Sequence, residues 1–167
     1  ISEQNFLGCT VNTGSTTFLA EAGQTYLLQA GNIYGQDGTI QINLNQSIPP
    51  SNDNFTNAQD ISALPFNVTA NITDATTESS EPQYCYSLNK TVWYSFTSTE
   101  TIIVRAGTQG SAISGSMNIY RAGTAISDLQ FVGCATPGSS TTFLAEAGQT
   151  YLLQAGPAFG ENGLLQI

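Results

Sequence analysis

The sequence of 167 residues contains no histidine and only three basic residues, against twelve aspartates and glutamates. Without histidine, neither a Ser-His-Asp triad nor a Cys-His pair can be built, and a zinc site loses its commonest nitrogen ligand. A net charge of −9 leaves almost nothing to neutralise phosphates. We therefore expect a protein that is not an enzyme and has no nucleic-acid partner.

Long apolar runs are missing as well. No segment approaches the roughly 18 consecutive apolar residues of a transmembrane helix, so we expect no membrane span. No segment carries a sustained apolar stripe of helical period, so we expect almost no helix. Serine, threonine, asparagine and glutamine must supply the polar surface, in a style common among extracellular β-proteins.

One stretch of 17 residues occurs twice without a change, at residues 15–31 and again at residues 140–156. The match continues at lower identity on both sides. Residues 1–42 are therefore a second copy of residues 126–167. This duplication is the feature on which the functional interpretation depends.

The duplication predicts three segments. Residues 1–44 are expected to be the C-terminal strands of an incomplete unit, completed by upstream sequence or by another chain. Residues 45–51 contain two prolines among small polar residues and predict a linker. Residues 52–167 are long enough to form a complete domain with its own core.

Short strands between glycine-containing turns describe the complete unit. Thr91–Thr97 is the clearest of these strands, and its alternation places Val92, Tyr94 and Phe96 on one face with Trp93 on the other. About eight such strands predict an antiparallel β-sandwich.

The incomplete copy should contain strands of the same kind. Thr16–Ala20 and Thr25–Ala30 flank the turn Glu21–Gln24, which predicts a hairpin in this copy and in its repeat. A second turn at residues 35–38 should lead to a strand at Thr39–Leu44.

The three cysteines follow the repeat. Cys9 and Cys134 occupy the same position in the two copies, whereas Cys85 lies in the part that is present once. A disulfide between Cys85 and Cys134 leaves Cys9 to a partner upstream, to another molecule, or as a free thiol. A disulfide implies an oxidising compartment, so we expect a secreted protein at the cell surface or outside the cell.

Apolar side chains of the incomplete copy should need a partner. Phe6, Phe18, Tyr26 and Leu27 belong to strands that cannot bury them alone, since a two-stranded piece is marginal in water. An unpaired strand edge also invites another chain. These four residues are therefore the candidate assembly residues, and copies of the same chain, joined head to tail, are the candidate partner.

Hard oxygen donors cluster where the linker enters the complete unit, at Asn52, Asp53, Asn54 and Asp60. Ca²⁺ prefers such ligands, so these residues are a candidate calcium site and Ca²⁺ is the one candidate cofactor. The alternative, which we favour, is that they cap turns through the local backbone, because the spacing matches no known calcium loop.

Two further groups have a functional and a structural interpretation. Glu78 and Glu81 could form the carboxylate pair of a glycosidase, but in a serine-rich loop solvated charges are the ordinary explanation. Aromatic residues could form a stacking platform for glycans, although core packing is the preferred interpretation: Tyr84, Tyr86, Trp93 and Tyr94. Asn-x-Ser/Thr sequons mark candidate glycosylation sites at Asn45, Asn54, Asn67, Asn71 and Asn89.

A series of short motifs resembles one domain family. In order, they are Asn52-Asp53-Asn54-Phe55, Leu64-Pro65-Phe66, Val92-Trp93-Tyr94-Ser95-Phe96, Ile119-Tyr120, Gly133-Cys134 and Ala147-Gly148-Gln149-Thr150-Tyr151. Together they resemble the bacterial pre-peptidase C-terminal domain over residues 51–167, with residues 1–42 as a partial copy. The resemblance implies a jelly-roll-like β-sandwich that is appended, often in tandem, to secreted enzymes and surface proteins. Some such domains bind Ca²⁺ or polymeric substrates.

Two functions fit the sequence. The first is a structural subunit of an extracellular bacterial filament, fibril or surface array, built from tandem or strand-complemented β-sandwich modules. The alternative is an accessory module that binds a carbohydrate or protein polymer for a larger secreted enzyme. A filament subunit should assemble without a ligand, whereas a binding module should stay monomeric and retain a polymer.

Overall fold

The computed structural model describes residues 6–11, 14–18, 20–35 and 37–167. The chain forms two compact units, Ile1–Ser47 and Ile48–Ile167. The second unit is all-β, and its only helical elements are single turns of 3-10 helix at Phe55–Asn57 and Ile126–Asp128. The strands of the second unit are β1 (Gln59–Ile61), β2 (Thr69–Asn71), β3 (Val92–Thr97), β4 (Ile102–Gly107), β5 (Gly115–Arg121), β6 (Gln130–Ala135), β7 (Ser140–Ala145), β8 (Thr150–Pro157) and β9 (Leu164–Gln166).

The strands form one large sheet and two small ones. The large sheet has the order β1-β3-β8-β5-β6, and the strand pairs β2-β9 and β4-β7 form the small sheets. The apolar core lies between them, since residues of β3, β5 and β8 pack against Val104 of β4, Phe143 of β7 and Leu165 of β9. The β-sandwich that the sequence predicts is confirmed.

One edge of the large sheet departs from the antiparallel prediction, because β1 runs parallel to β3. The cause lies at the entry to the unit. Asn52 is fixed beside Trp93 by two hydrogen bonds, one from the Trp93 amide (2.8 Å) and one from the Asn52 side chain to the Trp93 carbonyl (2.9 Å). The residues that follow Asn52 therefore run along β3 in the same direction.

The alternation predicted for β3 is confirmed. Val92, Tyr94 and Phe96 are buried in the core between the sheets. Trp93 points to the opposite face, where it packs with Tyr120 and Leu152 in a second apolar cluster. The large sheet is therefore covered on both faces, which explains why a strand of alternating pattern contains almost no exposed residue.

The predicted hairpin is wrong in the complete unit, because β7 and β8 do not pair with each other. β7 pairs with β4, whereas β8 lies between β3 and β5. Both edges of β8 are occupied, so the turn at residues 146–149 connects two sheets. Gly148 has a φ of +76° in this turn, a conformation that favours glycine.

β8 also passes very close to the loop that precedes β3 and contains Lys90. A Cβ atom added at Gly156 would lie 2.1 Å from the carbonyl oxygen of Lys90, whereas one added at the equivalent Gly31 would meet nothing within 4 Å.

We therefore expect Gly156→Ala to destabilise the complete unit by about 1–3 kcal/mol through overpacking. The same substitution at Gly31 should change the free energy of unfolding by less than about 0.5 kcal/mol. Urea unfolding followed by circular dichroism measures both variants, and equal effects of the two would contradict this difference in packing.

The first unit contains no strand among its described residues. The strands predicted at Thr16–Ala20, Thr25–Ala30 and Thr39–Leu44 are therefore wrong where the structure describes them. Leu19 in the first of these, and Gln36 in the turn at 35–38, lie outside the described residues.

The topology of the complete unit explains this difference between identical sequences. In that unit β6 pairs with β5, β7 with β4, β9 with β2, and β8 with β3 and β5. No two of the four strands β6 to β9 pair with each other. Residues 1–42 correspond to these four strands alone, so no ladder of the complete unit can form within them.

The turn, by contrast, is the same in both copies. Gly23 has a φ of +79°, and the Glu21 amide donates to the Tyr26 hydroxyl over 2.9 Å. The Glu146 amide donates in the same way to the Tyr151 hydroxyl over 3.1 Å. The ring centroids of Phe18 and Tyr26 are 5.1 Å apart, and those of their counterparts in the complete unit are 5.0 Å apart. The 17 identical residues therefore form the turn in both copies. They form strands only where other strands are present to pair with them.

Candidate functional site

The candidate assembly residues are far more exposed than their counterparts in the complete unit. Leu27 is 79% exposed and Phe6 is 80% exposed. Their counterparts Leu152 and Phe131 are 6% and 39% exposed. The difference is the apolar surface that the rest of the complete unit covers and that the described residues of the first unit leave exposed.

Phe18 and Tyr26 are half-buried, because they pack on each other. In the complete unit both counterparts, Phe143 and Tyr151, are buried in the core. The tilted ring pair is therefore preserved without the core that normally surrounds it. Leu28 and Ile40 extend the same exposed surface, whereas their counterparts Leu153 and Leu165 are buried.

The two cysteines of the complete unit, Cys85 and Cys134, are joined by a disulfide with a Cα–Cα distance of 6.5 Å. It fastens the loop before β3 to the edge strand β6. Cys9, the counterpart of Cys134, is an exposed free thiol. A disulfide of this kind is typical of proteins that fold in an oxidising compartment.

A buried carboxylate lies under that loop. Glu81 is 8% exposed, and its carboxylate accepts hydrogen bonds from the Gln154 amide (2.7 Å), the Thr91 hydroxyl (2.8 Å) and the backbone N–H of Glu78 (2.9 Å). The Trp93 indole N–H lies 3.4 Å from the same carboxylate. The expectation of a solvated charge at Glu81 is therefore wrong, because four donors converge on it from β3, β8 and the loop.

The network continues across the large sheet. The Gln154 carbonyl oxygen accepts hydrogen bonds from the Tyr120 hydroxyl (2.9 Å) and the Asn118 amide (3.1 Å). Burial, with Tyr84 and Glu81 nearby, raises the pKa of Tyr120 well above its ordinary value. The Tyr120 hydroxyl therefore stays protonated at any physiological pH and remains a donor to the network.

We expect Glu81→Ala to lower the free energy of unfolding by about 2 kcal/mol, because it leaves the buried Trp93 indole N–H and Gln154 amide without an acceptor. Glu81→Gln keeps the size of the side chain and one acceptor oxygen, so its loss should be smaller. Urea unfolding followed by circular dichroism gives both values. An unchanged midpoint for Glu81→Ala would contradict the network.

Glu78 does not join Glu81 in an acid–base pair. Its carboxylate accepts the Phe55 amide over 2.7 Å and so holds the 3-10 turn to the loop. The two glutamates are thus structural: one closes the loop onto the turn, and the other is buried beneath it.

The four calcium candidates have structural partners of their own. Both carboxylate oxygens of Asp53 accept hydrogen bonds from Thr76, from its amide at 2.7 Å and its hydroxyl at 2.6 Å. Asn52 bonds Trp93, as described above, and Asp60 and Asn54 are exposed. Within the described ranges, no three Asp, Glu, Cys or His side chains form a group that could hold a metal ion. This geometry favours the turn-forming role.

The aromatic candidates divide into two sets. Trp93 and Tyr94 are buried on opposite faces of β3. Tyr84 is half exposed and stacks on Phe131 at 4.2 Å, and Tyr86 meets the exposed Phe159 edge-on at 5.7 Å. Two surface aromatic pairs therefore flank Cys85. The sequence indicated the two tyrosines, but it gave no sign of Phe131 and Phe159, which the fold brings to them.

The five sequon asparagines are all exposed. Asn71 is the last residue of β2, and its side chain accepts the Thr73 amide over 3.1 Å. Asn67 precedes β2 and does not belong to the strand, so these two sequons do not share a strand face.

A pocket of about 230 Å³ lies between the two small sheets and the large one. Apolar residues such as Phe66, Val104 and Met117 line it together with polar ones, and Arg105 has the one charged side chain among them.

Comparison of the chain with models of protein families, with curated proteins and with solved structures found no match. Among the described residues, no helix has the length and apolar character that crossing a membrane requires.

Proposed function

We propose that this protein is a structural subunit of an extracellular filament or surface array built from β-sandwich modules. The observation that carries the proposal is the duplicated stretch. Its leucines Leu152 and Leu153 are buried in the complete unit, whereas their counterparts Leu27 and Leu28 are exposed in the first unit. A non-catalytic role fits Glu78 and Glu81, whose carboxylates accept hydrogen bonds from the backbone N–H groups of Phe55 and Glu78.

The physical argument starts from the exposed apolar surface of the first unit. At about 25 cal/mol for each Å² of apolar surface buried, covering side chains such as Phe6, Leu27 and Leu28 would stabilise an assembly by several kcal/mol. The unpaired backbone of residues 25–31 adds hydrogen-bonding groups that a neighbouring strand would satisfy. A head-to-tail contact of this type does not close, so it generates an elongated assembly.

Secretion is part of the proposal and is supported by the Cys85–Cys134 disulfide. The resemblance to the pre-peptidase C-terminal domain, whose members are often found in tandem on secreted proteins, supports the same setting. In an assembly of tandem copies, the duplicated strands would provide the contacts between one copy and the next.

Sedimentation velocity and electron microscopy of the purified chain test the proposal. The chain should form elongated species without any added ligand, in proportions that grow with concentration. Leu27→Asp should prevent this, because it places a charge in the exposed apolar surface. Ile103→Asp is the matched control, since Ile103 is 78% exposed in the complete unit and lies outside the duplicated strands. A chain that stays monomeric at every concentration would refute the proposal.

A second function is favoured by the surface aromatic pairs Tyr84–Phe131 and Tyr86–Phe159. Exposed rings of this kind stack on sugar faces, as the accessory binding module would require. Retention on columns of insoluble polysaccharide measures such binding, and Phe159→Ala should abolish it. A binding module would also sediment as a monomer, which distinguishes it from the filament subunit.

A further inference from the structure

We infer that residues 25–32 of one chain form the central strand of a second copy, where they replace that copy's own β8 between β3 and β5. The inference rests on the proposed function and names its partner surface. The donor segment is defined as residues 25–32, and the acceptor slot as the gap between β3 and β5 of the second copy. The proposal is a strand exchange between copies of the same chain.

The donor segment fits the acceptor slot because it is the same peptide as β8 except at its last residue, where Asn32 stands for Pro157. In the second copy, Leu28 would take the place of Leu153, opposite Tyr94 of β3 and Ile119 of β5. Leu27 would take the place of Leu152 in the second apolar cluster. Both leucines are exposed in the first unit and would be buried in the slot.

The turn that precedes the donor segment is already formed. Residues 21–24 have the hydrogen bond and the positive φ of the equivalent turn before β8, with Gln24 N to Glu21 O at 3.2 Å against 3.1 Å. Because this geometry does not have to be created on binding, less conformational entropy is lost when the segment docks. The turn before the donor segment therefore already has the geometry of the turn before β8.

Differences outside the 17 identical residues decide which copy holds the slot in a dilute chain. Thr10 stands at the position of Ala135, and Ile33 at the position of Ala158, and both alanines are buried. A larger side chain in a packed site is unfavourable. The chain's own β8 also follows β5 in the same molecule, so exchange requires high concentrations of the second copy.

The cysteines follow the same correspondence. Where residues 6–10 of the donor replace β6 together with β8, Cys9 of the donor would stand where Cys134 stands, beside Cys85 of the second copy. The Cys9 thiolate can then attack the Cys85 sulfur, a new Cys9–Cys85 bond forms, and Cys134 leaves as a thiolate that takes up a proton. One disulfide is lost and one is gained, so the step needs no oxidant.

The exchange has a strict stoichiometry. Each chain has one acceptor slot and two segments that fit it, the donor segment and β8. Every donor segment that enters a slot therefore releases one β8. Protection gained by residues 25–31 must equal the protection lost by residues 150–156, and this equality is specific to exchange.

The first test traps the register in the full chain. Cys134→Ser frees Cys85, and oxidised and reduced glutathione then allow it to pair with Cys9. We expect a disulfide-linked Cys9–Cys85 peptide between chains, found by mass spectrometry in mixtures of ¹⁵N-labelled and unlabelled protein. The off-register control is Cys9→Ser, Thr10→Cys, Cys134→Ser. Its yield should be about tenfold lower, because pairing in register raises the effective concentration of the correct thiols.

Two outcomes of this test overturn the inference. A Cys9–Cys85 bond found only within single chains would show that the first unit pairs with its own chain and not with a second copy. Equal crosslinking of Cys9 and of the off-register cysteine would show that the thiols meet by random collision.

The second test uses the unaltered protein, so that an unstable variant cannot decide the matter. Amide exchange is measured over about a hundredfold range of protein concentration, where mass action should favour pairing between copies. Slowing of exchange in residues 25–31, matched by faster exchange in residues 150–156, supports the inference. Slower exchange in residues 25–31 without faster exchange in residues 150–156 overturns the inference.

The inference and the proposed function fail in different ways. Elongated species in electron microscopy without a Cys9–Cys85 link between chains would support the filament subunit and contradict the strand exchange. A Cys9–Cys85 link in pairs of chains that never form elongated species would support the strand exchange and contradict the filament subunit.

Discussion

In dilute solution, the amide protons of residues 25–31 are expected to exchange at least about a thousandfold faster than those of residues 150–156. The two segments have the same sequence, so their intrinsic exchange rates are equal and only structure distinguishes them. Residues 150–156 lie in β8 with a hydrogen-bonded strand on each side. Residues 25–31 lie in no strand, so no strand ladder protects their amides from solvent.

Hydrogen exchange with mass spectrometry measures this ratio if the peptides extend beyond the identical stretch. Residues 32–35 and residues 157–160 differ, so peptides that end there have different masses. The amides of Gln24 and Gln149 are the internal control, because each donates the same hydrogen bond within its own turn and their exchange should be similar. Equal protection of 25–31 and 150–156 in a dilute monomer would mean that the first unit folds without β1 to β5.

Phe143→Ala is expected to destabilise the complete unit by about 3–5 kcal/mol, whereas Phe18→Ala should cost less than about 0.5 kcal/mol. The two phenylalanines have the same neighbours in sequence and the same tilted contact with a tyrosine. Phe143, however, is 7% exposed in the core between the sheets. The cost of the cavity therefore arises only where the other sheet is present.

Trp93 makes this measurement selective. It is the one tryptophan of the chain and is buried in the complete unit, so its fluorescence during urea unfolding reports on that unit alone. Phe18→Ala is the matched control, since both variants lose the same atoms from the same local sequence. Equal destabilisation by the two variants would place Phe18 in a core of its own.

Local patterns predicted part of the fold well. The alternation in β3 placed Val92 and Trp93 on opposite faces, because successive side chains of any strand point in opposite directions. The turn at Glu21–Gln24 was also predictable, and it forms in both copies with the same hydrogen bonds. Both features depend only on residues a few positions apart.

Pairing partners were not predictable in this way. The short turn between β7 and β8 indicated a hairpin, yet β8 pairs with β3 and β5 because both of its edges are taken. The parallel pair β1–β3 arises from the contact of Asn52 with Trp93, which are 41 residues apart. Contacts over such distances leave no periodic signal in the sequence.

Glu81 shows the same limit at a single side chain. In sequence it is an acidic residue among serines, for which solvation is the ordinary expectation. Its burial depends on donors from Thr91, Trp93 and Gln154, which lie on the loop side of the large sheet. A polar residue is buried where its partners converge, and only the folded chain determines that place.

The sequence by itself determined the duplication, the all-β character, the position of the repeated turn and the equivalence of Cys9 with Cys134. The tertiary structure alone decided which copy of the same 17 residues becomes strand. A turn closes through hydrogen bonds between near neighbours, so its sequence is sufficient. A strand of this fold needs partners from distant parts of the chain, and residues 1–42 contain none of them.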